Sequence, residues 1–300
     1  MNKKWIAMGG AIGIGSAMLV TSGFAASASY AGYDTFKGAV KQTKTADSVS
    51  GKLQVSISDN GTKVLSLEST FKKNQEKDAA SAVVQLNSGS QTHAFNIYHQ
   101  EDKTIIKSGD SEIYRVMEHQ DSRWKKHHGE HAEMAKEFEN VVDALVGNIR
   151  SNVALENQSN GSKHVSLHLA GNQIPEVVNA LGSFIIKKAS NHHHGEKSWH
   201  LDDNGPFAAS DLKLQLPKLT DNIRVEEVNL DATINTENYI EQKTAEIKIA
   251  GKDAVGVEHK LTVELEADFS EWNKTTPDTV DLSGKQVQTI ERKFGKHHAH

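Results

Sequence analysis

Apolar residues recur along this chain at two different spacings, and the points where one spacing gives way to the other predict its elements. Tyr33, Phe36, Val40 and Thr43 recur at helical spacing in DTFKGAVKQTKT, which predicts a first helix ending before Val49. From there the period is two. Leu53, Val55 and Ile57 alternate with Gln54 and Ser56, Asp59-Asn60-Gly61 marks a hairpin turn, and Leu65, Leu67 and Phe71 continue the alternation on the return strand. Short strands follow over 81–87, 91–99, 103–108 and 111–117, separated by NSGS, QEDK and SGD turns. The reading is an antiparallel meander of about six strands.

Charge and His interrupt the pattern at 119–131. Helical spacing then returns from Glu130 through Phe138, Val141, Val142, Leu145 and Ile149. A strand over 163–169 turns Val165, Leu167 and Leu169 inward and His164, Ser166 and His168 outward. Pro175 opens a second long helix whose apolar face is Ile174, Val177, Val178, Leu181, Phe184 and Ile185. Beyond a His-, Gly- and Asp-rich loop over 190–210, long strands are expected at 212–216, 228–234, 245–249 and 255–269. The last alternates through eight apolar or inward positions. A turn, NKTTPDTVD, and a basic tail close the chain.

This order of elements resembles the lipoprotein-carrier fold, the LolA/LppX-like half-barrel, over roughly 33–284. Separately, YDTFKGAVKQTK, LAGNQIPEVVNAL and TPDTVDLSGK are similar to segments of uncharacterised exported proteins of Gram-positive type. The carrier resemblance implies an α+β fold, a curved antiparallel sheet with two to three helices on its concave face, enclosing a site for a lipid or other apolar ligand. The helices expected at 130–148 and 174–188 either fill that space with core or leave a slot. The candidate cavity residues are Phe138, Val142, Leu145, Val178, Leu181 and Phe184. On the strand over 93–99, His93, Phe95, Ile97 and His99 share one face, either at a cavity mouth or at a sheet margin.

Composition narrows the class. The 300 residues contain no Cys and four Pro, with 24% charged and 37% hydrophobic positions, so a multi-span membrane protein and a disulfide scaffold are excluded. Lys3 and Lys4 precede an uncharged run from Trp5 to Phe24, and Ala26-Ser27-Ala28 supplies small residues for cleavage. Residues 1–28 therefore read as an export signal, 29–284 as one carrier-like domain and 285–300 as a basic His-rich tail. The uncharged run exceeds a usual signal core, so an uncleaved membrane anchor is the alternative. The expected location is extracytoplasmic, secreted or associated with the cell envelope. The formal charge of −5, which becomes −7 without the two leading lysines, argues against a nucleic-acid partner.

Sixteen His are the chemical anomaly, and 11 of them fall in three short tracts. One holds His119, His127, His128 and His131, the second His192, His193, His194 and His200, and the third His297, His298 and His300. Imidazole suits Zn²⁺, Ni²⁺ and Cu²⁺, and a site needs several nitrogens converging at about 2 Å. The candidate ligands are His127, His128, His131, His192, His193, His194 and His200, with Zn as the expected metal. The same imidazoles make the surface field pH-dependent near neutrality.

Catalytic patterns carry little. His127-His128-Gly129-Glu130-His131 spells H-x-x-E-H, but Gly129 breaks the helix that the inverted-zincin signature requires. Ser69-Thr70-Phe71-Lys72 matches S-x-x-K but lies on a strand, and Asp202-Asp203-Asn204-Gly205 lacks the alternating ligands of a calcium loop. The chain is read as no enzyme. Two functions stand: a non-catalytic extracytoplasmic or envelope-associated binding protein with an apolar ligand, and a His-rich metal-binding or pH-responsive exported protein.

Overall fold

The computed structural model describes residues 30–118, 149–176, 178 and 216–290. After the helix α1 (Ala31–Thr45) come six strands in unbroken succession: β1 (Ser48–Asp59), β2 (Thr62–Asn74), β3 (Ala79–Ser88), β4 (Gln91–Gln100), β5 (Lys103–Ser108) and β6 (Ile113–Glu118). A second run holds β7 (Val153–Asn157), β8 (Lys163–Ala170), β9 (Asp221–Ile234), β10 (Ile240–Lys252) and β11 (Glu258–Ser270), and β12 (Gln286–Thr289) ends the described chain. All twelve strands form one curved sheet in the order β12-β6-β5-β4-β3-β2-β1-β11-β10-β9-β8-β7. Two antiparallel meanders are thus joined edge to edge where β1 pairs with β11, at Leu53 opposite Ala267 and Val55 opposite Leu265. β12 alone pairs in parallel, on β6.

This corrects the expected α+β class. Among the described residues the architecture is predominantly β, one 15-residue helix against twelve strands, and not a sheet with two to three helices. Amphipathic segments and strands had equal weight in the periodicity, whereas the strands run well past their periodic cores: β9 spans 14 residues and β10 spans 13. The helices expected at 130–148 and 174–188 fall outside the described residues, save for 174–176 and Val178. The strand expected at 212–216 reaches the described residues only at Leu216, which is not in a strand, and 255–257 form a turn. β7 and β12 had no counterpart in the pattern, and β12 takes 286–289 of the segment read as tail.

Local chemistry explains the elements that were legible. Asn60 and Gly61 both adopt positive φ, 48° and 81°, as a two-residue hairpin turn between right-twisted strands requires. In α1, Tyr33, Ala39, Val40 and Thr43 are buried on one face, with Asp34 in the first turn and Lys44 in the last, each favourable to the helix dipole. α1 packs on β7, β8, β9 and β10. Gly32 permits this docking: a Cβ there would stand 2.4 Å from the Val153 carbonyl oxygen.

Alternation gives the sheet one apolar and one polar face. On the apolar face, one cluster gathers Ala39 and Val40 of α1 with Leu53, Phe71, Phe95, Ile97, Ala267 and Phe269. A second gathers Leu167, Leu169, Ile174, Leu219, Val225 and Ile249. The polar face is crossed by the segment after β11. There the Lys72 ammonium pairs with Asp278 at 2.8 Å, the Val280 N–H donates to Gln100 Oε1 at 2.9 Å, and Val280 packs with Ile105 and Val116.

Candidate ligand-binding face

The pairing register arranges the apolar face into rows running across the strands. One row reads Phe95, Val84, Ser69, Leu53, Ala267, Lys243, Ala232 and Val165, from β4 to β8. All of these are buried except Lys243, which is half-buried. Its ammonium lies 5.7 Å from the centre of the Phe36 ring, and burial pushes its pKa below the usual lysine value.

Two residues further along each strand, the adjacent row reads His93, Leu86, Leu67, Val55, Leu265, Ala245, Leu230, Leu167 and Val153, from β4 to β7. Every member but Leu167 is only half-buried. The following row, Leu65, Ile57, Val263 and Ile247, is half-buried as well. A broad apolar strip therefore runs across mid-sheet, next to a row that is buried at every position but Lys243.

The strip ends on β4 at His93. Its ring stacks on Phe95 with centroids 6.4 Å apart and planes 14° apart, and its Nε2 is buried without a hydrogen-bond partner among the described residues. As the sequence placed them, His93, Phe95, Ile97 and His99 share a face, and Phe95 and Ile97 are core. His99 Nδ1 stands 3.4 Å from Thr104 Oγ1, the ordinary contact expected at a sheet margin. Lys73 occupies the same face nearer the α1 end, opposite Val49 and Ala80. Burial brings its pKa down to about 8 against the favourable field of Asp78.

At the opposite end of the strands, His259 joins two hairpins. Its Nδ1 is 2.8 Å from Asp59 Oδ2 and its Nε2 is 3.6 Å from Asp253 Oδ2. Backbone N–H groups of Val257 and Val255 hold the Asp253 carboxyl below its usual pKa. On the polar face lies a groove of about 570 Å³, lined in part by Lys52, Lys72, Tyr98, Asp268, Glu271 and Asp278. Among the described residues, no group of three or more His, Asp or Glu side chains is placed to hold a metal ion.

Of the expected cavity residues only Val178 is described, half-buried and packed against the cluster of Leu167 and Leu169. Phe138, Val142, Leu145, Leu181 and Phe184 lie outside the described residues, as do His127, His128, His131, His192, His193, His194 and His200. What the sequence reading missed is the strip itself. Its alternation was visible, but the same alternation runs through the buried row, and only the register and the covering elements separate the two.

No protein-family model matches the chain, and no curated protein matches it. Among solved structures it is similar to a DUF1329 family protein from Desulfovibrio piger, at 9% identity and a TM-score of 0.21, covering 82% of this chain and 92% of that one. It is also similar to a LolA superfamily protein from Nitrosomonas europaea, at 7% identity and a TM-score of 0.21, covering 84% of this chain and 96% of that one. At such scores these likenesses carry no argument about function.

Proposed function

We propose that the chain is a non-catalytic, extracytoplasmic binding protein that holds an apolar ligand, a lipid or other acyl chain, against the apolar face of its sheet. The observation that supports this reading is the half-buried strip from Val55 and Leu67 to Leu86 and Leu230, set beside a row of the same sheet that is buried at every position but Lys243. Apolar side chains in mid-sheet gain about 25 cal/mol per Å² when a ligand removes their remaining exposed area from water. A site of that kind needs few polar groups to orient its ligand. Export through residues 1–28, a single domain over 29–284 and association with the envelope belong to the same proposal, and rest on the sequence.

Fluorescence titration with aminoanthracene, an apolar probe, tests it. Saturable binding of one probe per chain is expected, with at least tenfold weaker binding in Leu86→Asn, compared at a temperature where both chains are fully folded. A folded wild-type chain that shows no saturable binding, or a Leu86→Asn chain that binds as well as wild type, refutes the reading.

A further inference from the structure

Among the described residues, the strip carries one buried polar atom whose hydrogen-bonding capacity is unused. His93 stands at its β4 end, directly across from Leu86, and stacks on Phe95, so its ring is fixed in the apolar face. Its Nε2 is buried, and no described residue makes a hydrogen bond to it. An imidazole nitrogen left this way has given up its hydrogen bond to water, which a bound partner atom would replace. We propose that His93 is the headgroup anchor of the apolar strip, and that its ligand is a neutral amphiphile with a hydroxyl-bearing head and an acyl or alkyl chain lying along Leu86, Leu67 and Val55. This rests on the function proposed above and adds the ligand's polar chemistry.

The charge around His93 selects a neutral head. Asp110 follows β5, whose Ser108 pairs with Phe95, so the pairing directs the chain beyond Ser108 toward the position opposite His93. The Asp110 carboxylate is ionised: the Ser108 hydroxyl donates to it and holds its pKa low. A ligand carboxylate at Nε2 would bring a second negative charge beside Asp110. Arg115 also acts on Asp110 through its charge. A hydroxyl avoids the conflict. It donates to Nε2 in one imidazole tautomer and accepts from Nε2–H in the other, so it satisfies the ring in either state.

Displacement of aminoanthracene by three chain-matched competitors tests the assignment: dodecanol, dodecanoate and dodecyl chloride. In the wild-type protein, dodecanol should displace the probe about tenfold more effectively than either of the others, each compared with its own partitioning into an apolar solvent. His93→Phe keeps the stacked ring and removes the nitrogens, so the alcohol's advantage over the chloride should fall to near one while chloride binding is retained. His93→Gln, which restores a hydrogen-bonding side chain, should recover part of the advantage. An alcohol-to-chloride ratio unchanged by His93→Phe overturns the anchor, and so does a wild-type preference for dodecanoate. Loss of all three competitors together with the probe in His93→Phe, in a chain that still folds, also overturns it, because an anchor alone leaves chloride binding intact. A wild-type chain that binds no probe refutes the underlying function, a result distinct from binding without headgroup preference.

Discussion

Two neighbouring rows of the apolar face are made from the same kinds of residue and end up in different environments. Leu53, Ala267 and Val84 are fully buried, while Val55, Leu265 and Leu86, two residues along each strand, keep part of their surface exposed. Hydrophobicity therefore does not decide which row is core. The difference is one of depth: Leu53, Ala267 and Val84 belong to the cluster that includes Ala39 and Val40 of α1, whereas Val55, Leu67 and Leu265 pack against its margin and keep one side exposed. A protein that folds on the first row can leave the second free to bind.

The largest expected effect is in the buried row. Leu53 is 3% exposed between Ser69 and Ala267, and Leu53→Ala should cost about 2–5 kcal/mol, because the cavity left behind cannot collapse between two central strands. Urea unfolding should show the midpoint falling with an unchanged slope. A cost below about 1 kcal/mol would mean that the two rows are not energetically different.

A charged side chain at the same end gives the next effect. Lys73 lies opposite Val49, and burial lowers its pKa from 10.5 to about 8. The unfolded chain then binds more protons than the folded one between those values, so stability should rise as pH climbs from about 8 toward 10.5, and the cost of the ammonium is fully present below 8. Lys73→Met should stabilise the protein at neutral pH by on the order of 2 kcal/mol, discounted for the ammonium's residual exposure, and the gain should shrink at alkaline pH. A gain independent of pH would show that packing, and not desolvation of the charge, is responsible.

The first meander and α1 were legible because local chemistry sets them. Tyr33, Phe36, Val40 and Thr43 recur at helical spacing, and Asn60-Gly61 is a favoured pair for the type I′ turn of a tight hairpin. Strand β8 likewise turns Val165, Leu167 and Leu169 into the core as its alternation predicts. Where the alternation misled, a side chain captured the backbone. Val255 and Val257 continue the two-residue period toward β10, yet the Asp253 carboxylate accepts their N–H groups at 3.0 and 2.8 Å and Gly256 takes φ +86°, which makes a turn. Val255 is left 83% exposed at its tip. β7 and β12 are too short, at five and four residues, for periodicity to register, and they exist because β8 and β6 offer them hydrogen-bonding edges. The α+β expectation failed at the level of proportion, since a strand's length is set by its neighbours' register and not by its own apolar run. The site was legible only as a face: His93 and Phe95 were placed together, but the unused Nε2 is a property of the packing.

The smallest change in stability should come from the half-buried row, and it is the one that separates core from binding surface. Val55→Ala removes two methyl groups that are only partly shielded, so at about 0.8 kcal/mol per fully buried methylene the loss should be near 1 kcal/mol in the ligand-free protein. A bound ligand changes the comparison. It stabilises the folded state by RT ln(1 + [L]/Kd), about 2.7 kcal/mol at a hundredfold excess over Kd, and Val55→Ala weakens the binding on which that term depends. With aminoanthracene present well above the wild-type Kd, the deficit of Val55→Ala should therefore widen. The deficit of Leu53→Ala, whose side chain meets only the protein interior, should stay as it was. Paired thermal unfolding of the three chains with and without probe reads both differences in one experiment. Equal deficits in the two conditions for Val55→Ala would place Val55 in the core with Leu53, and the strip would then be packing with incomplete burial and not a surface kept for a ligand.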